Sequence, residues 1–494
     1  METITAVEKF AGLAPADNVI VAAAVLLLLA IAYITGREEK DTRDFFLGRR
    51  NIPGWAACLS FVATEISALT IVGVPATGFR ENWQYLQFFI GSAAARIIIA
   101  YLFIPAFYKY NCTTIYEFLR HRFGPATQYA GSIFFFITRL LASGVRLYAA
   151  SLAVSVIMGW NLTQTLFLFT VISMAFISFG GIKAVVWTGT FEAATFYIAG
   201  GAVLFYLFGC VTGGLPEIWK VAGESGRLSL INWGWNMADP NILWIAVLNG
   251  VFGSMGAFGT DQELMQRLLT VGTRDESRRT LIATIAATLP LQCIYLGIGT
   301  LLFVFYKQNP GLPLPDNSDK ILSHFVTNVL PAGLKGLMLT AVIMASIDSP
   351  LGSLSASFVT DIYRTLIRKT GNEAHYLKVS RLSVLVFGII LAVIAFFCRS
   401  VEGILWLAFK INGITAGSLL GVFLLGLTTA RQSDRGNVAA MIISAVVNAA
   451  LLALSENNLI GLGWSWLIVI GTVSTFVLGW IFGTKKVVTG VASS

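Results

Sequence analysis

The chain has 494 residues, of which 56% are hydrophobic and only 12% charged, with a formal net charge of +8. Its mean hydropathy is +0.75. A soluble protein carries about twice that charged fraction, so the composition excludes a soluble globular enzyme and reads as a polytopic membrane protein, in contact with lipid and with no nucleic-acid partner. The five cysteines have no metal-type spacing, and Cys58, Cys210, Cys293 and Cys398 fall in apolar runs, where they pack as small hydrophobes. The polar start Met1–Asp17 lacks the basic region of a cleavable signal.

Apolar runs long enough to cross a bilayer recur at about 18–36, 52–76, 82–108, 125–159, 163–180, 186–212, 241–266, 280–306, 331–363, 379–398, 401–428, 436–455 and 461–483. These are about thirteen spans. With the N-terminus outside, the inside segments with the adjoining span ends hold 22 Lys and Arg, the outside segments with theirs 8, and the span interiors 4, namely Arg96, Arg139, Arg146 and Lys410. The excess of inside positive charge fixes an N-out, C-in orientation.

The second span carries Ser60–Gly73, SFVATEISALTIVG, with Thr64, Glu65, Ser67 and Thr70 close together. A carboxylate at membrane depth marks a functional site by default, and polar residues alternating with small ones there predict an unwound helix that bares carbonyls to a cavity. The alternative is that Glu65 pairs structurally with an arginine. Five spans later, NGVFGSMGAFGTDQ (249–262) is rich in glycine, which weakens a helix and admits another group to its backbone. Close packing of small residues is the competing explanation. Paired interruptions five spans apart point to an inverted five-helix repeat with a binding site near the midplane.

The ninth span reads MASIDSPLGSLSASF (344–358) and places Ser346, Asp348, Ser349, Ser353, Ser355 and Ser357 together. Pro350 interrupts its hydrogen bonding. Sodium is a hard cation that takes oxygen ligands, so hydroxyls here facing carbonyls freed in the second span would hold it. Otherwise these serines bond back to their own helix. Arg139 and Arg146 lie seven apart, on one face of the fourth span. They either receive an anionic substrate or neutralise Glu65 and Asp348. Arg96 is close enough to the end of its span to snorkel.

These features resemble the sodium:solute symporter family over almost the whole chain. The resemblance is carried by FFLGRR…PGW (45–55), ATEISALT (63–70), TTIYEFLRHRFG (113–124), GGIKAVVWT (180–188), GTDQELMQR (259–267), DIY (361–363) and GVFLLGL (421–427), in order and spacing. It implies an all-α, LeuT-like inverted five-helix repeat plus flanking helices. The segments are an extra helix and loop over 1–51, a first repeat over 52–212, a second over 213–428, and two last helices with a short tail over 429–494. It implies a secondary active transporter of the bacterial inner membrane, which couples inward symport of a small solute to sodium by alternating access and works as a monomer.

The resemblance also places the sites. Sodium would be held by carbonyls of Ala63, Ile66 and Val342 and by two hydroxyl positions that are Ala345 and Ser346 here, one ligand short, with Asp348 nearby. A second sodium site of some members needs an acid where this chain has Gly189, although Asp348 and Ser349 match other positions of that site. The substrate would be lined by Glu65, Ser67, Thr70, Tyr85, Phe89, Ser92, Ser254, Ala257, Phe258 and Phe409. An arginine of the sialic acid carriers falls near Ala142, one turn from both Arg139 and Arg146. SALTIVGVPATGFR (67–80) is closer to the branch carrying small anions and vitamins, so the expected substrate is an organic anion, a monocarboxylate or acidic sugar. The alternatives are a neutral sugar, or proton coupling through Glu65 or Asp348. A sensor built on this fold would carry a long kinase extension. An enzyme is not expected, since His121, His324 and His375 are scattered and form no catalytic pair.

Overall fold

The computed structural model describes residues 13–36, 42–347, 350–400 and 404–485. The main helices are α1 (Pro15–Gly36), α2 (Gly54–Glu65), α3 (Ala68–Arg80), α4 (Leu86–Ile98), α5 (Pro125–Met158), α6 (Leu162–Cys210), α7 (Leu243–Ser254), α8 (Gln262–Leu269), α9 (Arg274–Gln308), α10 (Leu334–Ile347), α11 (Leu351–Ser357), α12 (Glu373–Phe397), α13 (Ile404–Thr428), α14 (Asp434–Glu456) and α15 (Trp466–Phe482). A two-residue strand pair, Arg431–Gln432 with Thr484–Lys485, ties the end of α13 to the end of α15.

Among the described residues eight helices are long and apolar enough to cross a bilayer. Two further candidates are helix pairs bent at a short break: α2 with α3 (57°), and α7 with α8 (63°). Leu162–Met174, Leu334–Ala345 and Trp466–Phe482 are shorter apolar helices. Each run read as a span in the sequence thus finds a helix or a helix pair. The run of α6 turns at Gly181 (φ 47°, ψ −167°), a conformation that glycine adopts without a Cβ penalty. This separates the fifth apolar run from the sixth.

The buried side chains form two large bodies. One joins α3, α5, α6, α9 and α10 and is flanked by α1. The other joins α4, the short helix Tyr116–Arg122, α5, α8 and α13. Helix α1 faces mostly outward but is anchored at one end. Asp17 is buried there and accepts the amides of Gly333 and Gly336, each at 2.7 Å, which caps α10. The broken helices join these bodies, α3 belonging to the first and α8 to the second.

Candidate functional site

Helix α2 ends where Ile66 leaves helical geometry (φ −86°, ψ 72°) and Ser67 is extended (φ −84°, ψ 179°). The Thr70 amide then bonds the Ser67 carbonyl at 2.8 Å, which relieves the Ile66 carbonyl of its helical partner. No glycine is needed for this break. Short polar side chains compete for backbone groups and favour helix ends. The second break has a different cause. Helix α7 widens into a π turn over Met255–Gly259, and Asp261 (φ −105°, ψ 125°) restarts the chain as α8 by accepting the Glu263 amide at 2.9 Å.

Each break carries a carboxylate, and each carboxylate is held by an arginine from a neighbouring helix. Glu65 is hydrogen-bonded to Arg96 of α4, and its other oxygen accepts the Thr288 hydroxyl of α9 at 2.8 Å. The reading of Arg96 as a snorkelling residue is corrected here. Its side chain is fully buried, with the rings of Phe258 and Phe89 at 4.9 and 5.4 Å, where a guanidinium gains from the aromatic faces. At the second break Arg139 donates to Asp261 at 2.8 Å and lies 2.6 Å from Glu263. Arg146 lies 3.8 Å from Glu263 and donates to the Thr64 carbonyl at 3.1 Å, so it reaches both broken helices. The arginines of α5 therefore neutralise Asp261 and Glu263 rather than Glu65. Lys410 pairs with Glu456 at 2.8 Å.

A cavity of about 220 Å³ opens between the breaks. Glu65, Ser67, Thr70, Tyr85, Phe89, Ser92, Arg139, Arg146, Ser254, Ala257, Phe258 and Phe409 all line it, and so does Ala142. The side chain of Arg146 is 20% exposed and that of Arg139 6%. The sequence reading missed Asp261, Gln292, Asn249, Asn412, Phe88 and Trp464, which also line it. Two of these had a signal. Asp261 stands at the end of the glycine-rich stretch, at a helix start, and Gln292 is an amide inside an apolar helix.

Of the residues that the resemblance assigned to sodium, Ala63, Ile66, Val342 and Ala345 belong to one buried cluster. Ala345 also borders a small cavity of about 30 Å³ shared with Ser143, Arg146, Thr170 and Pro350. The side chain of Ser346, and Asp348 and Ser349 altogether, lie outside the described residues. At Gly189 a Cβ would come within 2.6 Å of the Ser60 hydroxyl. The packing of α2 on α6 therefore leaves no room for an acidic side chain there. Among the described residues no group of three or more His, Cys, Asp or Glu could hold a metal ion.

Residues 45–444 match the family model "Sodium:solute symporter family". A sodium/sialic acid symporter of Proteus mirabilis is 29% identical over 469 residues, covering 93% of this chain and 92% of that protein. A sodium-coupled monocarboxylate transporter of Xenopus laevis is 26% identical over 434 residues, covering 86% and 70%. A solved structure described as the substrate-bound outward-open state of a Na+-coupled sialic acid symporter superposes with a TM-score of 0.86 at 25% identity, covering 95% of this chain and 97% of that one.

Proposed function

The chain belongs to the sodium:solute symporter family, and from that premise we propose that its central cavity takes a small organic anion, a monocarboxylate or an acidic sugar, together with sodium. The protein is a multi-pass inner-membrane transporter of LeuT-like fold that couples solute movement to sodium. The observation that carries the anion reading is the pair Arg139 and Arg146 on the cavity wall, with Arg146 touching both broken helices. A guanidinium fork suits a carboxylate.

Charge balance supports the same reading. The charged residues on the cavity wall are Arg139 and Arg146 on one side of the balance and Glu65 and Asp261 on the other. The wall is neutral as it stands. A lone ion entering this low-dielectric space would bear a large desolvation cost, whereas an anion and a sodium ion entering together keep it neutral. The proposed sodium ligands, which rest on the family resemblance, are the carbonyls of Ala63, Ile66 and Val342 with the hydroxyl of Ser346. Both relatives described above carry anions by name, sialic acid and monocarboxylates.

The first repeat runs over 52–212 and the second over 213–428, because the two bent pairs recur five spans apart. The N-terminus faces outward and the C-terminus inward, on the distribution of Lys and Arg. The proposed working unit is a monomer, as the family resemblance implies. The test is uptake into proteoliposomes under an inward sodium gradient, with sialic acid, pyruvate and galactose as probes. Uptake of an anion that stops when potassium replaces sodium is the expected result. Uptake of galactose alone, or uptake driven by a proton gradient without sodium, would overturn the reading.

A further inference from the structure

The C-terminal helices α14 and α15 lie outside the two repeats, yet α15 reaches the cavity. It packs along α13 at glycines. A Cβ on Gly417 would lie 2.7 Å from the Ile468 carbonyl, and one on Gly421 would lie 2.6 Å from that of Thr472. Backbones approach this closely only where small residues line a helix pair in the membrane. The turn that opens α15 is gripped from two other directions. Asn249 of α7, itself on the cavity wall, donates to the Ser465 carbonyl at 2.7 Å. The Trp466 indole N–H donates to the Met237 carbonyl at 3.1 Å.

That fixed turn carries Trp464 onto the cavity wall. Its ring runs parallel to Phe409 (5.5 Å, 2°) and close to parallel with Phe88 (6.2 Å, 11°). Trp406 packs against it at 5.5 Å and is tied back by its indole N–H to Glu81 at 3.2 Å. A tryptophan held in place on several sides pays little ordering entropy when a ligand arrives, and its face suits an apolar ligand face.

We propose that Trp464 contacts the substrate and determines its specificity, presenting an aromatic face to the ring of a cyclic anion while the α5 arginines take the carboxylate. This rests on the central cavity being the anion site. It gives the C-terminal helix pair a direct part in recognition, beyond packing.

The test uses the full chain in proteoliposomes, with sialic acid as the ringed probe and pyruvate as the ringless one. Trp464→Ala should raise the KM for sialic acid roughly three- to tenfold, the loss of one ring contact. The KM for pyruvate should move less than twofold, and the sodium concentration for half-maximal uptake should not change. Trp464→Phe should recover most of the affinity. An unchanged KM for sialic acid, or an equal rise for both probes, overturns the inference alone. Uptake of pyruvate but not sialic acid by the unaltered protein overturns the cyclic class. If the unaltered protein takes up neither, the anion reading falls and this inference falls with it. Should Trp464→Ala not fold, Trp464→Cys reports on the same contact. Sialic acid with sodium should slow its modification by a membrane-impermeant thiol reagent, above the background of the chain's own cysteines, and equal rates contradict the contact.

Discussion

The two broken helices solve one problem with different parts. At Ile66–Ser67 the break forms without glycine and frees a carbonyl, and its carboxylate, Glu65, looks into the cavity while the arginine behind it is buried. At Gly259–Asp261 the break forms through glycines, Asp261 caps the restarting helix, and it is the arginines of α5 that reach the cavity beside the acids they neutralise. One break thus presents acceptors and bare carbonyls, which suit a cation. The other presents guanidinium donors, which suit an anion. Carboxylate–arginine pairing holds both breaks, but at the first only the acid lines the cavity, whereas at the second Asp261 lines it together with the arginines of α5. The two bent pairs share a broken backbone, and side-chain choice gives them different polarity.

This contrast can be broken most severely at Arg139. Replacing it by Gln leaves Asp261 and Glu263 without their nearest cation, and breaking such a buried pair costs about 3–5 kcal/mol. The expected result for Arg139→Gln is a large fall in melting temperature and in folded yield. A protein of unaltered stability would show that this pairing is dispensable. Glu65→Gln should act next most strongly. It strands the buried Arg96 and should cost about 3 kcal/mol, read in the same melting experiment, while the Thr288 contact persists in neutral form.

Arg146→Gln sharpens the comparison, because its side chain is the more exposed of the two and its ion pair the longer, at 3.8 Å. Stability should fall by less than about 1 kcal/mol, yet anion affinity should drop about 10- to 100-fold, the loss of a charge-assisted bond. Equal anion affinity in a folded Arg146→Gln protein would reduce this residue to a tie between the two breaks. The smallest change is expected on the cation side. Ala345 borders a small cavity, so Ala345→Ser has room to add the hydroxyl that the proposed sodium site lacks. It should lower the half-saturating sodium concentration about three- to fivefold. No change, or a rise, would place sodium elsewhere.

Much of this architecture was legible in the residues. The spans follow from apolar length alone, and the breaks announce themselves as Glu65, Ser67 and Thr70 in one apolar run and as a glycine series in another. The residues that the family resemblance assigned to the substrate come together at one cavity, because their spacing along the helices fixes their faces. The charge partners were not legible. Arg139 finds Asp261 across 122 positions and Glu65 finds Arg96 across 31. Spacing within one helix cannot say which neighbouring helix supplies the counter-charge, so Glu65 looked as fit a partner for the arginines of α5 as Asp261 and Glu263 are. Trp464 was hidden for a related reason. It lies in the turn that opens α15, and the close packing of α15 on α13, with the bond from Asn249, carries it to the cavity.

The central claim is that anion and sodium occupy the space between the breaks together, each offsetting the charge of the other. The most direct measurement is the affinity of the purified protein for sialic acid across a sodium titration at constant ionic strength, with the converse titration of sodium at fixed anion. Binding linkage is reciprocal. The account predicts that sodium tightens anion binding, that the anion tightens sodium binding by the same factor, and that potassium does neither. Anion affinity independent of sodium would contradict it.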